Sequence, residues 1–159
     1  MQGRITSTAS YKEPMEKGLN RKEDWQIEQD TMNQSNAKTQ LMQFLDVDIV
    51  TQDNFSIWDW EFYRNNRLLA IGEYRRRFNN FGTFPDLQFS QKKFEILEAK
   101  GMEYGVPCLF FVEFDDLFLY FPVAGKYPTK EMRRNHEVRV ETCVCIPNSS
   151  FLYVNELSL

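Results

Sequence analysis

The acids Asp59, Glu61 and Glu73, with Arg75, Arg76 and Arg77 directly behind the last, stand inside FSIWDWEFYRNNRLLAIGEYRRRF (55–78), two aromatic and apolar runs flanking an Asn-Asn turn. Two carboxylates brought face to face across such a strand pair repel each other, and more so as they lose water, so the arrangement calls for a compensating cation or metal. Hard divalent ions such as Mg²⁺ or Mn²⁺ are held by one or two carboxylates completed by water and phosphate oxygens. In phosphodiester hydrolysis such an ion activates water and neutralises charge on the phosphate, while a nearby cationic side chain shares that charge. Lys92 and Lys93 supply more positive charge at the expected start of a helix. The helix dipole disfavours cations there, but a helix N-terminus carrying lysines is a ready anion site.

These residues depend on a hairpin. FSIWDWEFYR and RLLAIGEYRR are strand-like runs on either side of Asn65 and Asn66, residues that tolerate positive φ. A three-residue loop of Asn65, Asn66 and Arg67 sets Arg64 opposite Leu68 and Asp59 opposite Glu73 on one face. Trp58, Trp60, Phe62, Leu68, Ala70 and Tyr74 then form the other, apolar face. A two-residue loop would put the acids on opposite faces. The three-residue reading sorts the apolar residues more cleanly.

Other elements follow from periodicity and punctuation. Residues 1–20 are polar and aperiodic and read as a flexible arm, leaving 21–159 as a single domain. NRKEDWQIEQDTM and SNAKTQLMQFL predict two helical pieces forming one broken layer. FSQKKFEILEAKGMEYG predicts a helix capped by Ser90 and ended by Gly105, with Phe94, Leu97, Gly101 and Tyr104 in one stripe. VPCLFFVEF and LFLYFPV predict a hairpin across Asp115 and Asp116 whose first strand is central and covered on both sides. Residues 124–137 read as a loop, and VRVETCVCI and FLYV as closing strands. The order implies an α/β (α+β) fold, helices packed on a mixed sheet.

Composition sets outer limits. A chain of 159 residues with 42% hydrophobic content and 14 phenylalanines has enough material for one core. The net charge of −4 gives no general attraction to nucleic acid, so DNA binding requires a local basic patch. Cys108, Cys143 and Cys145 lie in apolar runs, without the second pair of ligands a structural zinc needs, and read as reduced, packed thiols. The absence of a long apolar run or leader pattern predicts a soluble cytoplasmic protein with no membrane contact. His136 has no triad partner and reads as an inert loop residue.

An Asp on one strand followed by Glu-x-basic on the next resembles the PD-(D/E)XK nuclease superfamily, which includes restriction endonucleases and junction resolvases. The matching positions are Asp59 and Glu73-Tyr74-Arg75. FPDLQFSQKKFEIL, GVPCLFFVEFDDLFLYF and IPNSSFLYV are further similar to small phage-type members, in which a Lys pair opens the following helix. The resemblance spans roughly residues 21–156. It implies a restriction-endonuclease-like fold, with a central mixed sheet flanked by helices, and a metal-dependent, phage-encoded nuclease acting on DNA in the host cytoplasm. Asp59 and Glu73 would hold Mg²⁺ or Mn²⁺, supported by an acid of the first helix, Glu28 or in second place Glu23.

Two positions depart from the family pattern. Trp58 stands where the motif has Pro, and Arg75 where it has the catalytic Lys. Arginine stays protonated and cannot accept a proton, although it binds phosphate bidentately. Lys92 or Lys93 is expected to place the missing ammonium. Arg76, Arg77, Lys126, Lys130, Arg133 and Arg134 are the candidates for backbone contacts to nucleic acid, while Phe78, Phe81 and Phe84 could stack exposed bases. Pairing into a homodimer is common for enzymes that cut two strands. Two readings stand beside the nuclease: an inactive nuclease fold that binds DNA or a host defence protein, favoured by Arg75, and an accessory protein whose acids are only the solvated face of a strand.

Overall fold

The computed structural model describes residues 24–53, 55–133 and 139–159. The expected arm, Glu23, Arg134 and His136 lie outside them. The first helix, α1 (Asp24–Leu45), is continuous rather than broken in two. The expected break fails because the polar residues there satisfy themselves within the helix: the Thr31 and Thr39 hydroxyls donate to the Ile27 and Ser35 carbonyls one turn back. Its buried stripe, Gln26, Asn33, Ala37, Leu41 and Leu45, is apolar toward the C-terminal end and polar toward the N-terminal end.

Among the described residues nine strands follow: β1 (Asp48–Thr51), β2 (Trp60–Arg64), β3 (Arg67–Arg76), β4 (Asp86–Ser90), β5 (Cys108–Glu113), β6 (Phe118–Pro122), β7 (Thr129–Arg133), β8 (Val140–Pro147) and β9 (Leu152–Tyr153), with α2 (Gln91–Tyr104) between β4 and β5. The main sheet has the order β1-β2-β3-β5-β6-β9 and a smaller sheet the order β4-β8-β7. Only the β3–β5 pair is parallel, so the main sheet is mixed, as expected. Every residue of β5 is buried, which fits its unbroken apolar sequence and its place inside the sheet.

Each face of the main sheet has its own core. On one, α1 packs through Ala37 and Leu41 against Trp60, Phe62, Ala70, Phe111 and Phe118. On the other, Phe94 and Leu97 of α2 meet Ile71, Phe110, Val112 and Phe121, with Phe89, Val144 and Ile146 of the smaller sheet closing the layer. The strand β7 was expected to be loop. β7, TKEMR, is an outer strand with little burial, so it carries no apolar alternation to read; its order comes from β8 beside it. α2 begins and ends as expected, with the Lys93 N–H donating to Ser90 Oγ at 3.3 Å and Gly105 in the left-handed region at φ 67°.

The β2–β3 hairpin has a two-residue turn, not a three-residue one: Asn65 and Asn66 lie at φ 52° and 62°, and Arg64 pairs with Arg67. Tyr63 pairs with Leu68, but Phe62 pairs with Ala70, so Leu69 is an extra residue in β3 and forms a bulge. The bulge restores the phase that the short turn loses. Beyond it Trp60 faces Gly72, and continuing that register sets Asp59 level with Glu73, as the three-residue reading required. The apolar face changes accordingly. Trp60, Phe62, Ala70 and Tyr74 lie on the α1 side, whereas Trp58 and Leu68 join the α2-side core.

Two contacts hold this hairpin in place. A Cβ at Gly72 would lie 2.8 Å from Cε1 of the fully buried Phe62 ring, so only glycine fits there. Arg64 donates to the carbonyls of Leu45 at 2.8 Å, Asp46 at 3.2 Å and Leu159 at 2.7 Å, tying the strand to the end of α1 and to the last residue. All three cysteines are buried and outside disulfides. Burial, with Glu73 nearby, pushes the Cys108 thiol up to about 12.

Candidate active site

Asp59 lies just before β2 and is locked by backbone bonds. Its N–H donates to the Gly72 carbonyl at 3.0 Å, and its own carbonyl accepts from the Gln52 N–H at 2.8 Å. Its carboxylate Oδ2 accepts the Tyr74 N–H at 2.9 Å, so the strand that carries Glu73 also orients Asp59. Glu73, in the middle of β3, is only 4% exposed. The Lys93 ammonium pairs with its Oε2, and its Oε1 is buried without a hydrogen-bond partner.

Burial raises the Glu73 carboxyl to about 7, the Asp59 charge adds to the rise, and Lys93 and Arg75 oppose it. Glu73 thus resists ionising without an added cation. Lys93 answers the question its position poses: a lysine in the first turn of α2 sits at the wrong end of the dipole because its partner is a buried carboxylate on β3. Lys92, one residue earlier and about 100° round the helix, is exposed and lines neither cleft.

The helix acid is displaced from the expected position. Glu28 is exposed, and about 200° of helix rotation separates it from Asp30, which lines the cleft with Asn33 and Gln34. The cleft, of about 710 Å³, also takes in Asp59, Glu73 and Arg75. Asn33 is 2% exposed; its Oδ1 accepts from Gln29 Nε2 at 3.0 Å, while its Nδ2 is buried without a partner. Stripe spacing from Gln26 through Ala37 could have found Asp30 and Asn33, because the buried positions of α1 recur at that period.

The arginines after Glu73 divide by strand alternation. Arg75 lies over the Phe89 and Phe110 rings at 5.6 and 5.5 Å and lines this cleft and a second one of about 670 Å³. Arg77 also lines both, and Lys130 and Arg133 line the second. Arg76 differs from the expected DNA contact. Its side chain is 6% exposed, pairs with Asp115 at 2.7 Å, donates to the Glu113 carbonyl at 3.2 Å and packs over Phe78, so it fixes the end of β3 to β5. Lys126 is exposed and lines neither cleft.

A second buried acid went unnoticed in the sequence. Glu113, at the end of β5, is fully buried and accepts a 2.5 Å bond from the Tyr74 hydroxyl; its Oε2 has no partner. Burial raises it to about 7 against the Tyr74 bond and Arg76, and the Tyr74 phenol is pushed far above its ordinary range, chiefly by burial. The available signal was one charge in the otherwise apolar run CLFFVEF. Tyr74 therefore joins the two acids by its two ends, backbone to Asp59 and phenol to Glu113.

Among the described residues, no group of three or more His, Cys, Asp or Glu side chains converges as a self-sufficient metal cage. Asp59 and Glu73 still suit a hard divalent ion. They are oxygen donors, one buried oxygen lacks a partner, and such an ion needs only one or two carboxylates when water and phosphate complete its shell. Among the described residues, no helix is long and apolar enough to cross a membrane.

No curated protein matches the chain. Among solved structures, the fold is similar to that of Hjc, a Holliday junction resolvase from the archaeal hyperthermophile Archaeoglobus fulgidus. The TM-score is 0.50 at 14% identity, covering 77% of this chain and 96% of that one. The family model described as "Phage putative PDDEXK endonuclease" matches residues 20–153. That match covers most of the sequence, including Asp59, Glu73 and Lys93, and the chain belongs to this PD-(D/E)XK endonuclease family.

Proposed function

We propose that the protein is a phage-encoded, divalent-metal-dependent deoxyribonuclease whose centre is Asp59 and Glu73, with Lys93 in place of the family's strand lysine. The observation that carries this reading is Glu73: buried, resistant to ionisation, facing a second acid, and left with one oxygen unsatisfied. A buried acid facing a second, half-buried one is a poor structural device and a good ion site. When bound, Mg²⁺ or Mn²⁺ would activate a water and offset charge developing on the phosphate.

The chain's own residues supply the rest. Asp59, held by the Tyr74 N–H, presents a fixed carboxylate. Lys93 balances the Glu73 charge, and its ammonium would serve a phosphate oxygen of the substrate. Asn33 offers a buried N–H at the cleft wall for a substrate oxygen. Arg75, always protonated, contributes charge and not proton transfer. Asp30 takes the part expected of Glu28, lining the cleft from α1.

Incubating plasmid and single-stranded DNA with Mg²⁺ or Mn²⁺ tests the reading. Cutting by the wild type that disappears in Glu73→Ala supports it. Absence of wild-type cutting with either metal rejects it in favour of a nuclease fold kept for binding DNA or a host protein, the reading that Arg75 at the family's lysine position favours.

A further inference from the structure

The second cleft has a composition that the hydrolytic centre does not explain. Its lining includes four cations, Arg75, Arg77, Lys130 and Arg133, against one acid, Asp86, and it joins the cleft of Asp59 and Glu73 through Arg75, Arg77 and Asn79. Cations alone would suit the backbone of any nucleic acid. The cleft also contains Phe84, a residue 61% exposed.

Single exposed aromatic rings are ordinary on protein surfaces. This one is held out by its own backbone. The Phe84 carbonyl accepts from Asn148 Nδ2 at 2.8 Å, and the Pro85 carbonyl accepts from the Asn148 N–H at 3.3 Å. Just upstream, the Thr83 N–H and hydroxyl both donate to the Asn80 carbonyl, at 3.2 and 2.7 Å. A pinned main chain thus presents an exposed ring inside a cationic cleft, with the Gln88 amide in the same wall. A ring offers its face only to a base whose own face is uncovered, and in a duplex those faces are occupied by neighbouring bases.

We propose that this cleft seats an unpaired nucleotide stacked on Phe84, with its phosphates on Arg77, Lys130 and Arg133, so that the preferred substrate is DNA with a single-stranded segment beside the cleaved bond. The position of that bond rests on the nuclease reading above; the nucleotide site does not. The cleft's volume of about 670 Å³ is ample for one base and its sugar.

Fluorescence anisotropy without metal, where nothing is cut, tests the site directly. The probes are a short labelled single strand, the same strand with abasic residues, and its blunt duplex. Stacking on an aromatic side chain predicts that Phe84→Ala weakens binding of the single strand roughly tenfold, leaves the duplex unchanged, and is rescued by Phe84→Trp. The abasic strand should bind the wild type about as weakly as the normal strand binds Phe84→Ala, and no worse to the variant. Unchanged affinity in Phe84→Ala, or an equal loss on single strand and duplex, overturns the proposal. A thermal melt of Phe84→Ala matching the wild type shows that the variant is folded. Base-dependent binding without any cutting in Mg²⁺ would sustain the site and remove the nuclease reading. Cutting with no Phe84 dependence of binding would do the reverse.

Discussion

Replacing Glu73 by Gln should make the metal-free protein more stable while removing its activity. The carboxyl is raised from its usual 4.5 to about 7, mainly by burial. At about 1.4 kcal/mol per pH unit, ionising it in the folded state therefore costs about 3 kcal/mol relative to the unfolded chain. The folded value lies above the unfolded one, so this part of the stability is intact below pH 4.5, is lost as pH rises toward 7, and changes no further above that. Gln is neutral throughout and keeps an oxygen for the Lys93 bond. Glu113, raised to about 7 as well, titrates in both proteins and cancels in the comparison. Urea denaturation in EDTA should thus show the stability difference moving in favour of Glu73→Gln by about 3 kcal/mol between pH 4.5 and 8. Adding Mg²⁺ at pH 8 should stabilise the wild type, by about 1.4 kcal/mol at ten times its dissociation constant, and leave the variant unmoved. A difference that stays flat with pH would refute the assignment of Glu73 as a carboxyl held against its charge, and equal stabilisation of both proteins by Mg²⁺ would refute its role as ligand.

Other substitutions separate neighbours that sequence alone treats alike. Lys93→Met should abolish cleavage and raise the Glu73 value further, because Lys93 lowers it, whereas Lys92→Met should cut at nearly the wild-type rate; single-turnover assays on the same DNA compare them. Gly72→Ala should destabilise by about 1–3 kcal/mol in urea titrations, since the added methyl meets the fully buried Phe62 ring. Arg64→Ala should cost about 2 kcal/mol by removing charged donors from the Leu45, Asp46 and Leu159 carbonyls, with cleavage at low temperature unaffected.

The parts of this molecule that were legible in the sequence are those where one local rule decides the outcome. Ser90 and Gly105 bound α2 because capping chemistry is local, and β5 is central because its residues leave no polar face. The pairing of Asp59 with Glu73 was reached through the wrong turn: Asn65-Asn66 makes the shorter loop its residues favour, and a bulge at Leu69, which no turn residue announces, makes up the difference. β7 was missed because an exposed outer strand needs no apolar alternation. Glu28 was named first and Glu23 second, and Asp30 was not weighed, because the acids of α1 were considered without the buried stripe that fixes which way the helix turns. Lys92 and Lys93 could not be told apart until α2 had been placed against β3, a contact that links two elements rather than a property of either.

The Leu69 bulge has a practical consequence. A uniform antiparallel ladder transmits any change in loop length to every pair below it, so a residue gained or lost at the tip would exchange the two faces of the strands. Here the tip and the end bearing Asp59 and Glu73 are in different phase, and the shift between them is confined to one position, while Phe62 against Gly72 anchors the lower half. The hairpin behaves as two ladders joined by a slip joint. The exposed Asn65-Asn66 turn is accordingly the point at which an epitope or a fluorescent label can be inserted with Asp59 and Glu73 still level.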